Sequence, residues 1–166
     1  MGKLYAFDAV IREGKTSMAV VGRDQGGKFV TAWAEQLSPG SPLFGEANAA
    51  LLAIQRATNA GFKNIVIEGD TWNVIEPSRN QEPVPHWSIK PLVEDILYFV
   101  KDFDNVNFSF VFREGNEAAN LLTRWAALLN WNGPIPISNL SPLVIQVLDQ
   151  DDHRSNLDCI FLFCSK

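Results

Sequence analysis

Three carboxylates stand in surroundings where the sequence gives them possible chemistry. Asp8 lies in an otherwise apolar run, on the strand face that it would share with Ala6 and Val10. Glu46 lies in the first turns of an alanine-rich helix, and Asp70 directly follows a short run rich in Ile and Val. A buried carboxylate needs a cation, hydrogen-bond donors or a metal ion. If the three converge, their oxygen ligands predict a hard divalent cation, Mg²⁺ or Mn²⁺.

Each carboxylate also has a simpler explanation. Asp8 could bond to the backbone or to an arginine at a strand end. Glu46 is a favourable acid near the positive end of a helix, and Asp70 is a preferred cap for a helix that follows it. Spacing alone does not decide, because neighbouring members of the set lie 24 and 38 positions apart in the chain. Only the fold can bring the three together.

The elements that must position these residues follow from periodicity and turn signals. Strands are predicted at residues 4–11, 17–23, 29–37, 64–68 and 106–112, and helices at residues 42–59, 70–75, 89–100 and 116–129. Ser41, Ser88 and Asn116 are the expected caps of the three long helices. Short turns join the first three strands and helices precede the others. We therefore expect an α/β fold, a five-stranded mixed sheet with three antiparallel strands and then parallel additions, flanked by helices.

The domain organisation is predicted as one domain over residues 1–130 and a proline-containing C-terminal extension over residues 131–166, whose order the sequence leaves open. A proline-containing linker is predicted over residues 77–85. No unbroken apolar run exceeds six residues, so no membrane partner is expected. Cys159 and Cys164 are the only cysteines, which fits an intracellular, reducing compartment, with nucleus and cytoplasm not distinguished.

Several short motifs occur in an order typical of one family. They are Phe7-Asp8-Ala9, Val21-Gly22-Arg23-Asp24 with Gly27-Lys28, Gly45-Glu46-Ala47, Ile67-Glu68-Gly69-Asp70, Trp87-Ser88-Ile89 and Arg113-Glu114-Gly115-Asn116-Glu117-Ala118-Ala119-Asn120. As an ordered set over residues 4–128, they resemble the plant reverse-transcriptase-like, retrotransposon-derived branch of the RNase H family. The resemblance implies the same five-stranded mixed sheet with flanking helices.

The resemblance also implies a catalytic and metal-binding site. Members of the family carry an Asp, Glu, Asp, Asp set that binds two divalent ions, and they are endoribonucleases acting on the RNA strand of RNA/DNA hybrids. The first three acids fall on Asp8, Glu46 and Asp70, and the fourth position is Asn120. An amide offers a carbonyl oxygen without the negative charge. We therefore expect a weakened second site for Mg²⁺ or Mn²⁺, and weakened catalysis.

Two other functions stay open at this point. A nucleic-acid-binding relative with poor or no activity is favoured by Asn120, and by Phe110 where the family often has a histidine. A protein-interaction domain on the same fold is favoured by the net acidity and by the apolar C-terminal extension, through which another protein could bind.

Further candidate contacts of a nucleic acid are Lys90, Arg113 and Asn116, with solvated surface charge the alternative for the two cations. The five tryptophans are expected to pack in the core rather than to stack on bases. We expect the protein to be a monomer.

The net charge of −5 argues against a partner bound through a broad basic surface. Residues 1–130 carry 12 basic and 15 acidic groups, a balance of −3, and the three candidate ligands account for that whole deficit. Two bound divalent ions would change the balance there to +1. The acidity is therefore compatible with an RNA/DNA hybrid as partner, bound weakly and without a broad basic track.

Overall fold

The computed structural model describes residues 2–81, 83–84 and 86–149. Six strands are β1 (Gly2–Arg12), β2 (Lys15–Arg23), β3 (Phe29–Leu37), β4 (Asn64–Gly69), β5 (Asn105–Phe110) and β6 (Gly133–Pro134). Five helices are α1 (Pro42–Asn59), α2 (Trp72–Asn80), α3 (Lys90–Val100), α4 (Glu117–Leu129) and α5 (residues 142–149). Three-residue to four-residue 3₁₀ turns precede α3, α4 and α5. No helix of this described part is both long and apolar enough to cross a membrane.

The sheet has the order β5-β4-β1-β2-β3-β6. β1, β2 and β3 form an antiparallel meander, and β4 and β5 join parallel to β1. The predicted mixed sheet with flanking helices is thereby confirmed, with one strand more than the expected five. The additional strand, β6, pairs antiparallel with the outer edge of β3. It holds only Gly133 and Pro134, and a proline is tolerated there because it lies at the edge of the sheet.

Two apolar cores cover the two faces of the sheet. One face carries large side chains such as Tyr5, Phe7 and Ile67 and packs against α1 and α2, with α3 packed against α1. The other face carries mainly small side chains and packs against α4 and the segment that follows it, where Leu122 and Leu148 are fully buried. Residues 131–149 thus continue the packed structure beyond residue 130, and the rest of the predicted C-terminal extension, with both cysteines, lies outside the described residues.

The start of α1 follows from its sequence as predicted. Ser41 Oγ accepts a hydrogen bond from the Phe44 amide at 3.1 Å, and Pro42 occupies the first helical position. Neither feature needs a tertiary partner, because a serine cap satisfies an otherwise free amide and proline has no amide to satisfy. The cap places Glu46 in the second turn of the helix, next to the sheet.

The expected boundary of the second helix was wrong. Instead of ending near residue 75 at a linker, α2 runs through Pro77 to Asn80. Proline removes one helical hydrogen bond, but its fixed φ suits a helix, and the burial of Val74, Ile75 and Pro77 stabilises the added turn. Ser88 also differs from expectation, since it lies inside the 3₁₀ turn Trp87–Ile89 and makes no side-chain cap.

The tryptophans are less buried than expected. None of the five is among the fully buried side chains, and Trp72 and Trp87 are 50% and 86% exposed. Trp33 is covered on one side by the guanidinium of Arg56, 4.2 Å from its ring centre. Core packing was therefore the wrong expectation for Trp72 and Trp87, whose positions at the starts of helical segments leave them at the surface.

Candidate functional site

Asp8 and Asp70 meet because β1 and β4 are parallel neighbours. The pairing of the two strands ends at Ala6 and Glu68, so Asp8 lies just beyond it on β1. Asp70 follows the last residue of β4 and lies at the same carboxyl edge of the sheet. Asp8 is only 5% exposed. The unusual position of an acid in an apolar strand therefore corresponds to a nearly buried carboxylate beside a second one.

A glycine permits this approach. A Cβ atom at Gly69 would overlap the ring of Phe7, which is fully buried beneath the end of β4. Any larger residue at position 69 would push the two strands apart or displace the ring. Gly69 therefore sets the separation of the segments that carry Asp8 and Asp70.

A second glycine brings α1 to the sheet. A Cβ atom at Gly45 would lie 2.9 Å from Thr16 Cγ2 and 3.3 Å from Ala9 Cβ, closer than ordinary packing allows. This contact carries Glu46 to β1, where its Oε1 accepts a hydrogen bond from the Ala9 amide at 3.3 Å. The buried alanines of α1, on the face predicted to approach the sheet, permit the same close packing.

Asp8, Glu46 and Asp70 converge into one cluster. Each offers an oxygen, and the three oxygens lie within 4.8 Å of one another. Glu46 Oε2 is buried and has no hydrogen-bond partner among the described residues. Three converging carboxylates, one with a buried oxygen that has no partner among the described residues, form a set of oxygen ligands that fits a hard divalent ion.

The pKa values of two of the three carboxylates also favour a cation site. Burial, followed by the negative charge of Asp70, raises the pKa of Asp8 to about 7, against smaller opposite effects of Thr123, Arg113 and the Ala9 amide. Burial, followed by the charges of Asp8 and Asp70, raises the pKa of Glu46 to about 9. Without a cation, the folded protein therefore holds protons that free carboxylates would release.

Helix α4 is fixed against the other side of β1. Asn116 Nδ2 donates a hydrogen bond to the Phe7 carbonyl oxygen at 2.9 Å, and the residue is 1% exposed. Asn116 precedes α4 as predicted, but its side chain does not cap the helix. Buried against β1, it does not present the surface expected of a nucleic-acid contact. Its bond sets the start of α4, and Asn120 follows one turn later.

An open cavity of about 610 Å³ contains the cluster and faces α4. The predicted residues that line it are Asp8, Glu46, Asp70, Arg113 and Asn120. Lys90 does not line this cavity: it lies at the start of α3, with its Nζ 3.8 Å from the Glu94 carboxylate.

Sequence reasoning missed three polar residues of the cavity, namely Thr71, Asn73 and Arg124. Arg124 follows Asn120 by four positions, so the helical repeat places both on one face of α4 and could have identified it. Thr71 and Asn73 follow Asp70 closely, but the predicted helix start there gave no signal of which side chains face the cavity. The site thus combines three carboxylates, two amides, one hydroxyl and two arginines.

Several solved ribonucleases H have a fold similar to that of this chain. RNase H1 from the halophilic archaeon Halobacterium salinarum superposes with a TM-score of 0.71 at 20% identity, covering 79% of this chain and all of that one. The N-terminal RNase H domain of a Mycobacterium tuberculosis protein gives 0.70 at 16% identity, covering 77% of this chain and 94% of that one. LC11-RNase H1, isolated from compost and solved with an RNA/DNA hybrid, gives 0.67 at 15% identity, covering 74% and 94%.

Two comparisons at the level of sequence give different results. A search of curated protein sequences finds no significant match. The profile of the family described as reverse transcriptase-like matches residues 6–126, a range that begins just before Asp8 and extends through most of α4. Because this match spans both sides of the cavity and most of the RNase H-like sheet, the chain belongs to the reverse transcriptase-like family.

Proposed function

We propose that the protein is a metal-dependent endoribonuclease that hydrolyses the RNA strand of RNA/DNA hybrids. The observation that carries this proposal is the convergence of Asp8, Glu46 and Asp70 in an open cavity within an RNase H-like fold. The hybrid bound in the LC11-RNase H1 structure supports this choice of substrate.

The proposed roles of the residues follow from their positions. Asp8, which is nearly buried, would help to hold both divalent ions, Mg²⁺ or Mn²⁺, and Glu46 and Asp70 would hold the first with it. When bound, such ions supply positive charge to the attacking water and to the departing 3′ oxygen. The Ala9 amide orients Glu46, and Arg113 and Arg124 attract the phosphate at the cavity edge.

Asn120 supports a second candidate function. It occupies the cavity wall on α4, where a carboxylate would add the charge that the second ion needs. An amide oxygen is a weaker ligand for a hard cation. The protein would then retain nucleic-acid binding with low catalytic activity, and the level of hydrolysis separates the two candidates.

The proposal is tested by a substrate panel. Purified protein is incubated with labelled RNA/DNA hybrid, single-stranded RNA, double-stranded RNA and double-stranded DNA, with Mg²⁺ or Mn²⁺ titrated in separate series. We expect cleavage of the RNA strand of the hybrid alone, and loss of that cleavage in Asp8→Asn. Intact hybrid at every metal concentration, with binding retained, would favour the second candidate. Equal cleavage by Asp8→Asn would contradict the assigned site.

A further inference from the structure

Three aromatic rings form a continuous group on residues that are close in the chain to the lining of the cavity. Trp72 and Phe110 have ring centres 5.5 Å apart with planes at 82°, and Phe110 and Phe112 have centres 5.5 Å apart with planes at 78°. We call these three residues the aromatic rim. Edge-to-face contacts of this kind fix the orientation of each ring relative to the next.

The outer rings of the aromatic rim are open to solvent. Phe110 is half-buried between the other two, whereas Trp72 is 50% exposed and Phe112 is 76% exposed. Sheet and helix ends fix both outer residues: Trp72 is the first residue of α2, and Phe112 follows β5 by two positions. A cluster of large apolar side chains that is held in place and left uncovered is typical of a binding surface.

The chain neighbours of the outer rings belong to the cavity. Thr71 and Asn73, on either side of Trp72, line the cavity, and so does Arg113, which follows Phe112. The backbone of each outer residue therefore adjoins the edge of the carboxylate site, and a strand that leaves the cavity at this edge comes within reach of the aromatic rim.

A fixed cation accompanies the rings. The Arg79 guanidinium carbon lies 5.9 Å from the centre of the Trp72 ring. Its Nε donates to the Phe108 carbonyl oxygen at 2.9 Å, which anchors the side chain. Arg79 is also paired with Glu76, at 3.6 Å between Nη1 and Oε2, so it holds the Trp72 ring in place rather than adding free charge. Exposed aromatic rings that are fixed in this way can stack bases.

The charge of the protein favours an unpaired nucleotide as the occupant. With a balance of −3, residues 1–130 lack the broad basic track that binds a duplex through its phosphates. Stacking adds affinity without phosphate neutralisation, but the base faces inside a duplex are already covered by their neighbours. Within the hybrid the rings therefore have no base face to stack on, whereas an unpaired base next to the hybrid offers one.

We infer that the aromatic rim is a stacking site for an unpaired nucleotide that flanks the hybrid held in the cavity, an inference that rests on the proposed function. The site makes junctions between hybrid and single strand the preferred substrates. It also adds contacts that depend little on salt, because they involve rings rather than phosphate charges.

The test compares a blunt RNA/DNA hybrid with the same hybrid extended by a short single-stranded overhang at either the 5′ or the 3′ end of the RNA. Binding is measured by fluorescence anisotropy across a salt series, and cleavage of the same substrates is followed separately. We expect one overhang to tighten binding about 10-fold at every salt concentration. Phe112→Ala and Trp72→Ala should each remove most of this advantage and leave binding of the blunt hybrid unchanged, whereas Phe112→Tyr should retain it.

Tyr98→Ala is the matched control. Tyr98 is 67% exposed, packs edge-to-face on Phe99, and has Lys101 Nζ 5.7 Å from its ring centre, but it does not line the cavity. The inference is overturned if neither overhang improves binding, or if the advantage survives in Phe112→Ala and Trp72→Ala or disappears in Tyr98→Ala. In those cases, binding and cleavage of the blunt hybrid leave the proposed function standing. Absence of any binding by the wild-type protein overturns both.

Discussion

The two walls of the cavity differ in chemistry although they lie on the same sheet. The wall built by β1, β4 and α1, which we call the acidic wall, holds the carboxylates of Asp8, Glu46 and Asp70, two of which have raised pKa values. The wall built by α4 holds a neutral amide, Asn120, and the exposed Arg124. The first wall therefore needs added positive charge, while the second already supplies some.

This difference assigns binding of a first cation to the acidic wall and the adjustment of its activity to α4. Because Gly45 and Gly69 have no side chains, the segments that carry the three acids can pack closely. Burial then makes charges on these acids destabilising unless a cation neutralises them. On the α4 side, the hydrogen bond from Asn116 to the Phe7 carbonyl oxygen fixes the position of the helix start and involves no charged group. We therefore expect changes on the acidic wall to abolish activity and changes on α4 to tune it.

The largest expected effect follows from neutralising the acidic wall. Glu46→Gln keeps the side-chain shape and a hydrogen-bond acceptor for Ala9 but removes one charge from the cluster. We expect kcat/KM for hybrid cleavage to fall by about 100-fold or more, because the ion loses a charged ligand. Steady-state kinetics measure the loss. Glu94→Gln, an exposed acid on α3, is the control, and a comparable loss there would mean that the effect is not specific to the cavity.

The next effect concerns stability in the absence of metal. The folded protein holds protons on Asp8 and Glu46 up to pKa values of about 7 and 9, above those of the unfolded chain. Their contribution to the free energy of unfolding is therefore greatest near pH 4 and falls as the pH rises through those values.

Denaturant unfolding in the presence of a chelator measures this contribution. Between pH 5 and 9, wild type should lose about 2–4 kcal/mol relative to Asp8→Asn, since each pKa unit is worth about 1.4 kcal/mol. Added Mg²⁺ should restore stability at high pH in wild type but not in Asp8→Asn. If the free energy of unfolding changes with pH equally in the two proteins, the raised pKa of Asp8 and the repulsion within the acidic wall are contradicted.

A smaller effect is expected when α4 receives the missing charge. Asn120→Asp adds a fourth carboxylate facing the other three, and we expect about 10-fold more hydrolysis together with a lower Mg²⁺ requirement. Metal titrations of the initial rate measure both. Asn73→Asp adds the same charge elsewhere in the cavity and should give no gain. If Asn120→Asp is no more active than wild type, the amide does not limit the reaction.

The smallest effect belongs to the arginine on α4. Arg124→Ala should weaken hybrid binding a few-fold and lower the slope of log affinity against log salt by about 1, as expected for one lost phosphate contact. Anisotropy titrations at several salt concentrations give that slope. Lys101→Ala removes a cation that lies outside the cavity and should leave it unchanged.

The acidic wall was also the part most accessible to sequence reasoning. Asp8 could be found because a charge in an otherwise apolar strand conflicts with its surroundings. Glu46 and Asp70 each have an ordinary local explanation, as a helix-end acid and a helix cap, and the family resemblance joined them to Asp8. The mixed sheet could be predicted from the short turns between the first three strands and the helices that precede the others.

The features of the structure that the sequence did not predict depend on tertiary contacts. β6 has no strand signal because glycine and proline disfavour strands, and it exists only because the edge of β3 is available. Pro77 marks a helix end by local rules, yet packing carries α2 past it. The surface positions of Trp72 and Phe112 had no local signal either, since aromatic residues in apolar segments are usually buried.

The central claim is that Asp8, Glu46 and Asp70 form a divalent metal site, and direct measurement of Mn²⁺ binding tests it most simply. Isothermal titration calorimetry on wild type, Asp8→Asn and Asn120→Asp gives the number and affinity of bound ions. We predict one well-bound ion and a weaker second in wild type, loss of both in Asp8→Asn, and a tighter second ion in Asn120→Asp. Absence of Mn²⁺ binding to wild type, or unchanged binding in Asp8→Asn, would contradict the claim.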